Sequence, residues 1–481
     1  MRKLLLAAIP AAALIIACLL FPAGGAISGE ALGENISLAF CLPFAGTLLC
    51  VAVMPAALPR FWEKWQAAVM AFWSLLLIVP LAGRYGMATM LQQVTEAVVG
   101  DYLTFIVLLL GLYCVAGNIC LEGQLTGTPL NNTGLLLIGA VMASWIGTTG
   151  AAMVMIRPVL NANKWRGHTV QTVVFFIFLV ANIGGALTPI GDPPLLMGFI
   201  RGVPFGWELQ NMSLITGLNV LILLAVYYLL DRRAYRQDMA MGCIPPVREG
   251  NIRLLGWHNI IFLLMIVGAV ILSGILPRLP LFQDAAGNAA SLHIYGEVSL
   301  SWAVILEIAV ILLAALLSWV TTPQRVRQKN QFNWEAMEEV AVLFIGIFIT
   351  MIPALLYLKT HGSQLGLSAP WQMFWVTGLL SSFLDNTPTY LVFLATAGSL
   401  GATSGVATTA GAIGVRMLMA ISCGAVFMGA ATYIGNAPNF MVRSIAERNG
   451  VRMPSFFGYM RWSLLFLIPV FLLDTVLFFL G

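Results

Sequence analysis

The 481-residue chain is 60% hydrophobic and only 9% charged, with a mean hydropathy of +0.91. Such a balance describes an all-α polytopic membrane protein whose first partner is the lipid bilayer, and no soluble domain is visible. The formal net charge of +4 is small, and the basic residues lie in short loops, where they report orientation and not nucleic-acid binding.

The cysteines carry no CxxC pair and the histidines no metal-ligand spacing, which excludes a disulfide framework and a zinc site. No cofactor is implied.

Taken in order, residues 1–37 read as an N-terminal membrane helix or signal peptide followed by an external loop. Apolar runs at 38–58, 66–82 and 103–121 are each long enough, or nearly so, to cross a bilayer. The run 133–160 is interrupted by Ser144-Trp-Ile-Gly-Thr-Thr-Gly150 and followed by Lys164 and Arg166. Drawn as one crossing, it would place those cations and Arg232, Arg233 and Arg236 outside. Drawn as a re-entrant hairpin, it keeps them all in the cytoplasm, so the hairpin is expected.

A broken helix at 169–200, a helix at 212–230 and a cytoplasmic linker at 237–255 follow. Helices at 256–275, 299–319 and 336–358, a second hairpin at 369–396, a second broken helix at 412–442 and a last helix at 459–480 complete about 11 crossings. Five crossings separate the hairpins, so they enter from opposite faces. Residues 38–236 and 256–481 are thereby predicted to be inverted repeats.

The breaks carry the chemistry. Ala181-Asn-Ile-Gly-Gly-Ala-Leu-Thr-Pro-Ile-Gly-Asp-Pro-Pro194 cannot form a plain helix, because its prolines remove donors and its glycines loosen the backbone. Shifted by 244 residues, it lies on Ala425-Val-Phe-Met-Gly-Ala-Ala-Thr-Tyr-Ile-Gly-Asn-Ala-Pro438, with Asp192 falling on Asn436. An ionisable residue at such depth marks a functional site.

The second hairpin tip, Asp385-Asn-Thr-Pro-Thr389, adds an oxygen-rich turn suited to a hard cation such as sodium. The predicted ion and proton site is Asp192, Asp385, Asn386, Thr387, Thr188, Thr432 and Asn436. Ser144, Thr148, Thr149 and Asn439 support it, with freed carbonyls around Gly184, Gly191 and Gly435 as further ligands.

The motifs ANIGGALTPIGDPP, FLDNTPTYLVF and GAVFMGAATYIGNAPNFMVRSIAE resemble the ion transporter superfamily. It includes NhaD-type sodium-proton antiporters, arsenite-pump membrane subunits, citrate transporters and dicarboxylate-sodium symporters. The likeness runs from about residue 38 to the end, nearest to a bacterial sodium-proton antiporter and citrate-transporter group. It implies a homodimer in the inner membrane, with a scaffold and a transport domain that slides as an elevator.

Asp385-Asn386-Thr387 and Gly191-Asp192-Pro193-Pro194 match the superfamily patterns, but the first tip has Ser144-Trp145-Ile146 where carboxylate transporters commonly show Ser-Asn-Thr. No arginine lies in either tip or break to clamp a carboxylate. Sodium-proton antiport is therefore the first expected function, with the sodium ion and proton as cargo. Cation-coupled uptake of citrate or another organic anion is the alternative. A membrane-embedded enzyme or the membrane subunit of a pump with a separate ATPase is more remote, since catalytic and nucleotide motifs are missing.

Overall fold

In a bilayer each backbone polar group must be satisfied within the protein, so long Leu/Ile/Val/Phe runs can cross only as helices or as a closed barrel. The computed structural model describes residues 14, 17–21, 24–123, 125–245, 253–284, 287–330 and 332–480. Ten helices among the described residues are long and apolar enough to cross a membrane. Most of the expected N-terminal helix, and stretch 246–252 of the expected linker, lie outside the described residues.

The chain begins with α1 (Gly29–Asn35), α2 (Leu42–Ala57) and α3 (Pro59–Tyr85). Next, α4 (Met87–Thr95), a π-helical stretch (Glu96–Tyr102) and α5 (Leu103–Gly117) form one long helix, so the span expected at 103–121 is only the second half of a longer element. The polar residues Gln92, Gln93, Glu96 and Asp101 lowered the apparent hydropathy of its first half. Burial explains how they are tolerated: Gln92 and Gln93 are each 3% exposed, and Asp101 pairs with Arg201 at 2.5 Å.

After β1 (Cys120–Glu122), Thr128 caps α6 (Pro129–Ile146) by accepting the Asn131 N–H at 3.3 Å, and Pro129 at the first helical position needs no donor. Then come α7 (Thr148–Ala162), α8 (Val170–Leu179), a 3-10 turn (Ile183–Leu187), α9 (Pro193–Ile200) and the 34-residue α10 (Trp207–Ala240).

β2 (Arg253–Leu255), α11 (Asn259–Ile275), β3 (Ser291–Tyr295), β4 (Val298–Ser301), α12 (Trp302–Thr321), α13 (Gln324–Lys329) and α14 (Glu335–His361) follow. The chain ends through α15 (Pro370–Ser381), α16 (Asn386–Gly398), β5 (Val406–Thr408), β6 (Gly411–Ile413), α17 (Val415–Met428), a 3-10 turn (Gly429–Ala431), α18 (Ala437–Arg448) and α19 (Phe456–Asp474).

The fold is mainly helical, but not wholly. β1 pairs with β2, β3 with β4 and β5 with β6, all antiparallel. The expected linker is correspondingly shortened at both ends, by α10 running to Ala240 and by β2 docking on β1.

The α8 region is the centre of the molecule. Its Val170–Leu187 window is 89% buried, against 22–56% for the other nine spans, so protein and not lipid surrounds it. Phe175 packs on Tyr227 of α10 and Phe466 of α19, and Phe178 packs on Tyr459 (ring centroids 5.4–5.8 Å apart). These contacts join the two halves of the chain through one apolar core.

Arg166, which served above as a loop charge reporting orientation, is fully buried. Its guanidinium meets Asp231 at 2.8 Å and Asp238 at 3.0 Å, all three side chains being 0% exposed. Asn132 and Gln171 also donate to Asp231, at 3.2 and 2.9 Å. The foot of the α6–α7 hairpin is thus riveted to α10.

Candidate functional site

Each hairpin tip docks on a break. Between α6 and α7 the turn is the single residue Gly147, held at φ +79° in the left-handed region that glycine favours. It presents Ser144 and Thr148 to the first break. The Ser144 hydroxyl donates to Gly184 O at 2.5 Å and accepts the Leu187 N–H at 3.2 Å, while the Thr188 hydroxyl donates to Ser144 O. The Thr148 N–H donates to Gly191 O at 2.8 Å.

In the second half the Ser382 hydroxyl donates to Met428 O at 2.9 Å and the Thr432 hydroxyl donates to Ser382 O. The stitching of Thr188 to Ser144 is repeated in Thr432 to Ser382. Side chains at Gly191 would be fatal to this packing, because a Cβ there would stand 2.0 Å from Gly185 O.

Asp192 is where the elements meet. It is 0% exposed and precedes α9 directly. Oδ1 accepts from the Thr148 hydroxyl at 2.8 Å and from Asn436 Nδ2 at 3.2 Å, and Oδ2 accepts from Asn386 Nδ2 at 2.9 Å. One carboxylate is therefore held by the first hairpin, the second hairpin and the second break, and each of these donors is uncharged.

Behind them lies a second row of amides. Asn436 Nδ2 also reaches Asn182 Oδ1 at 3.1 Å. Asn182 Nδ2 donates to Asn439 Oδ1 at 2.7 Å, and Asn439 Nδ2 donates to Gly429 O and Thr432 O at 2.8 and 2.9 Å. Ser381 orients Asn386 by donating to its Oδ1 at 2.8 Å. Interlocked amides of this kind fix which end of each faces the carboxylate.

Several residues of the predicted site also have tasks in the fold. Asp385 caps α16, accepting the Thr387 N–H at 3.0 Å, and makes no hydrogen bond to Asp192 among the described residues. Thr188 and Thr432 spend their hydroxyl protons on the hairpins. The carbonyls of Gly184 and Gly191 are already engaged by Ser144 and Thr148, and the Gly435 N–H is taken by the Thr432 hydroxyl at 3.1 Å.

The physical reason is that freed backbone groups at a break must be satisfied, and the hairpins do it. Thr387 is buried, and Thr149 is only half-buried. Asn182 and Ser381 were not on the predicted roster. The signal was present, since an amide inside an apolar run needs a partner.

Broken helices packed around a buried, uncompensated carboxylate are the make-up of a secondary transporter. Residues 33–479 match the family model described as "Putative citrate transport", and the chain belongs to that family. No curated protein matches it. It is a multi-pass membrane protein of a transport family.

Proposed function

We propose that the protein is a cation-coupled secondary transporter in which Asp192 binds the coupling cation, a proton or sodium, and an organic acid of the citrate class is the cargo. The observation that carries this reading is the donor set of Asp192: one hydroxyl and two amides, from both halves of the chain, with no fixed cation among its hydrogen-bond partners. A buried carboxylate without a fixed counter-charge is costly, and a mobile cation removes the cost.

Thr148, Asn386, Asp192 and Asn436 each stand at the start of a half-helix. The positive ends of four helices therefore converge there, a setting that suits an anionic cargo beside the cation. The family match supports citrate.

Sodium-proton antiport without organic cargo is the second reading. It is favoured by the missing arginine or lysine on the Asp192 set, which leaves a free carboxylate without a bidentate partner.

Within either reading the two halves act as inverted repeats of a homodimer in the bacterial inner membrane, with the hairpins and breaks sliding as an elevator. The first hairpin would open to the cytoplasm and the second to the outside. In a cysteine-free background, Lys164→Cys should react with an impermeant thiol reagent only from the inside and Gln364→Cys only from the outside. Reaction of both from one face would end the inverted-repeat reading.

The deciding experiment uses proteoliposomes that hold a pH-sensitive dye. Labelled citrate accumulating under a sodium or proton gradient supports the first reading, and sodium-driven proton flux without citrate supports the second. Absence of both fluxes removes both.

A further inference from the structure

We propose that Asp474 and Asn219 form a proton-binding pair outside the Asp192 set, in which Asp474 holds a resident proton and shares it with the Asn219 amide. The pair goes beyond the transport reading and does not depend on it.

The sequence copies an acid but not its cation. Leu229-Leu-Asp231 on α10 recurs 243 residues on as Leu472-Leu-Asp474 on α19. The same shift lays Asn132 on Trp375, and both donate into the copied segment: Asn132 Nδ2 to Asp231 at 3.2 Å, and Trp375 Nε1 to the Thr475 hydroxyl at 2.9 Å. It also lays Arg166, the cation of Asp231, on Thr409. The Thr409 N–H is spent on Arg201 O at 2.9 Å. Asp474 is left without a guanidinium and makes no ion pair among the described residues.

What it has instead is an amide. Asn219 Nδ2 on α10 donates to Asp474 Oδ2 at 2.8 Å, and both residues are 0% exposed. The other ends of the two groups, Asp474 Oδ1 and Asn219 Oδ1, are buried with no hydrogen-bond partner among the described residues. Both are acceptors, so neither satisfies the other. One proton on the carboxyl makes it the donor that the amide oxygen lacks, and the acid then meets the amide through two complementary hydrogen bonds. Without that proton a fully buried charge would face one neutral donor, a costly arrangement. Asp192, by contrast, accepts from three side chains, a setting for the charged form.

The surroundings select a proton over a metal ion. From α15 comes Trp375, onto Thr475, whose own hydroxyl donates to Phe471 O at 2.7 Å. From α17 comes the Cys423 thiol, also 0% exposed, as the titratable group facing Asp474. A hard metal cation seeks about six oxygen ligands. The carboxyl and amide oxygens of the pair fall short of that, and they suit a proton. Because both residues are closed off from solvent, the proton stays in place and fastens α10 to α19. It is a resident ligand and not cargo.

Infrared spectroscopy of the purified full-length protein at neutral pH tests the assignment without reference to cargo. Asp474→Asn should remove one protonated-carboxyl band. Asn219→Leu should move that band to higher frequency, because a carbonyl that loses a hydrogen-bond donor stiffens, and Asp192→Asn should leave it in place. If Asp474→Asn removes no such band, the carboxyl is ionised and the proposal is overturned, as it is by an unshifted band in Asn219→Leu. Should Asp474→Asn not fold, the Asn219→Leu shift decides.

In proteoliposomes, Asp474→Asn should keep the proton-to-cargo ratio of the unaltered protein. A lower ratio in the folded variant would make this proton cargo and overturn its residence. If the unaltered protein moves neither citrate nor sodium, the transport reading fails, while the infrared result still decides whether Asp474 holds the proton.

Discussion

Asp192 and the pair Asp231 and Asp238 are equally hidden, all at 0% exposure, yet they are solved in opposite ways. The α10 pair sits on a regular helix and shares the fixed cation Arg166, with Gln171 and Asn132 on Asp231 and His168, 2.6 Å away, on Asp238 completing the shell. Asp192 sits in a helix break and receives only a threonine and two asparagines. Desolvation costs both sites several kcal/mol per charge. Where a guanidinium repays that cost, the charge is permanent architecture. Where neutral donors shape the pocket without cancelling the charge, the carboxylate can exchange its counter-ion, which transport requires.

The comparison breaks most visibly at Arg166. Arg166→Ala removes the cation that two buried carboxylates share and should cost about 3–5 kcal/mol, seen as a lower thermal midpoint in detergent, with transport lost along with the fold. Asp192→Asn should do the reverse. An amide keeps the shape and removes the desolvation cost of the charge, while its NH2 end meets a donor where an oxygen accepted, a loss of about 1 kcal/mol. The melting midpoint should then stay level or rise while coupled transport disappears. If Asp192→Asn unfolds the protein and Arg166→Ala leaves it stable, the contrast between the two sites is wrong.

A smaller effect is expected at the donors. Asn386→Ala or Asn436→Ala removes one hydrogen bond to a charged group, worth about 1.5–3 kcal/mol, or roughly 10–100-fold in cation affinity. The half-saturating sodium or proton concentration for transport measures it. Ser381→Ala, which frees both Asn386 Oδ1 and the Ala425 carbonyl, should change that concentration less than Asn386→Ala does. Equal changes would show that Asn386 acts through packing and not through its bond to Asp192.

Much of this was legible in the sequence because helix breaks are written in glycine and proline. The helix pairs on either side of the two interruptions run over 129–162 and 370–398, close to the apolar runs read at 133–160 and 369–396. The polar half of the long helix at 87–117 was not legible, since hydropathy cannot see that Gln92, Gln93 and Asp101 find partners or cover inside. Nor was the burial of Arg166, because a cation in a short loop looks the same whether it faces water or two aspartates from a distant helix.

At the site, residue types pointed to Asp192, Asn386 and Asn436. The division of labour among the threonines and glycines depends on which backbone groups the tips satisfy, and only the folded geometry fixes that.

The smallest expected effect is at Asp385, the acid that the sequence could not tell apart from Asp192. The structure separates them by their donors: three side chains for Asp192, and for Asp385 the Thr387 backbone N–H. A residue that caps a helix can be exchanged among good caps at little cost, whereas alanine loses about 0.5–2 kcal/mol. Asp385→Asn should therefore keep the thermal midpoint, and Asp385→Ala should lower it modestly. Coupled transport at equal reconstituted amounts should fall less in Asp385→Asn than in Asp192→Asn, because an asparagine cap still holds the start of α16 and so keeps Asn386 aimed at Asp192. If Asp385→Asn instead abolishes coupling as completely as Asp192→Asn while the midpoint is unchanged, Asp385 is a second ion-binding acid and its cap is incidental.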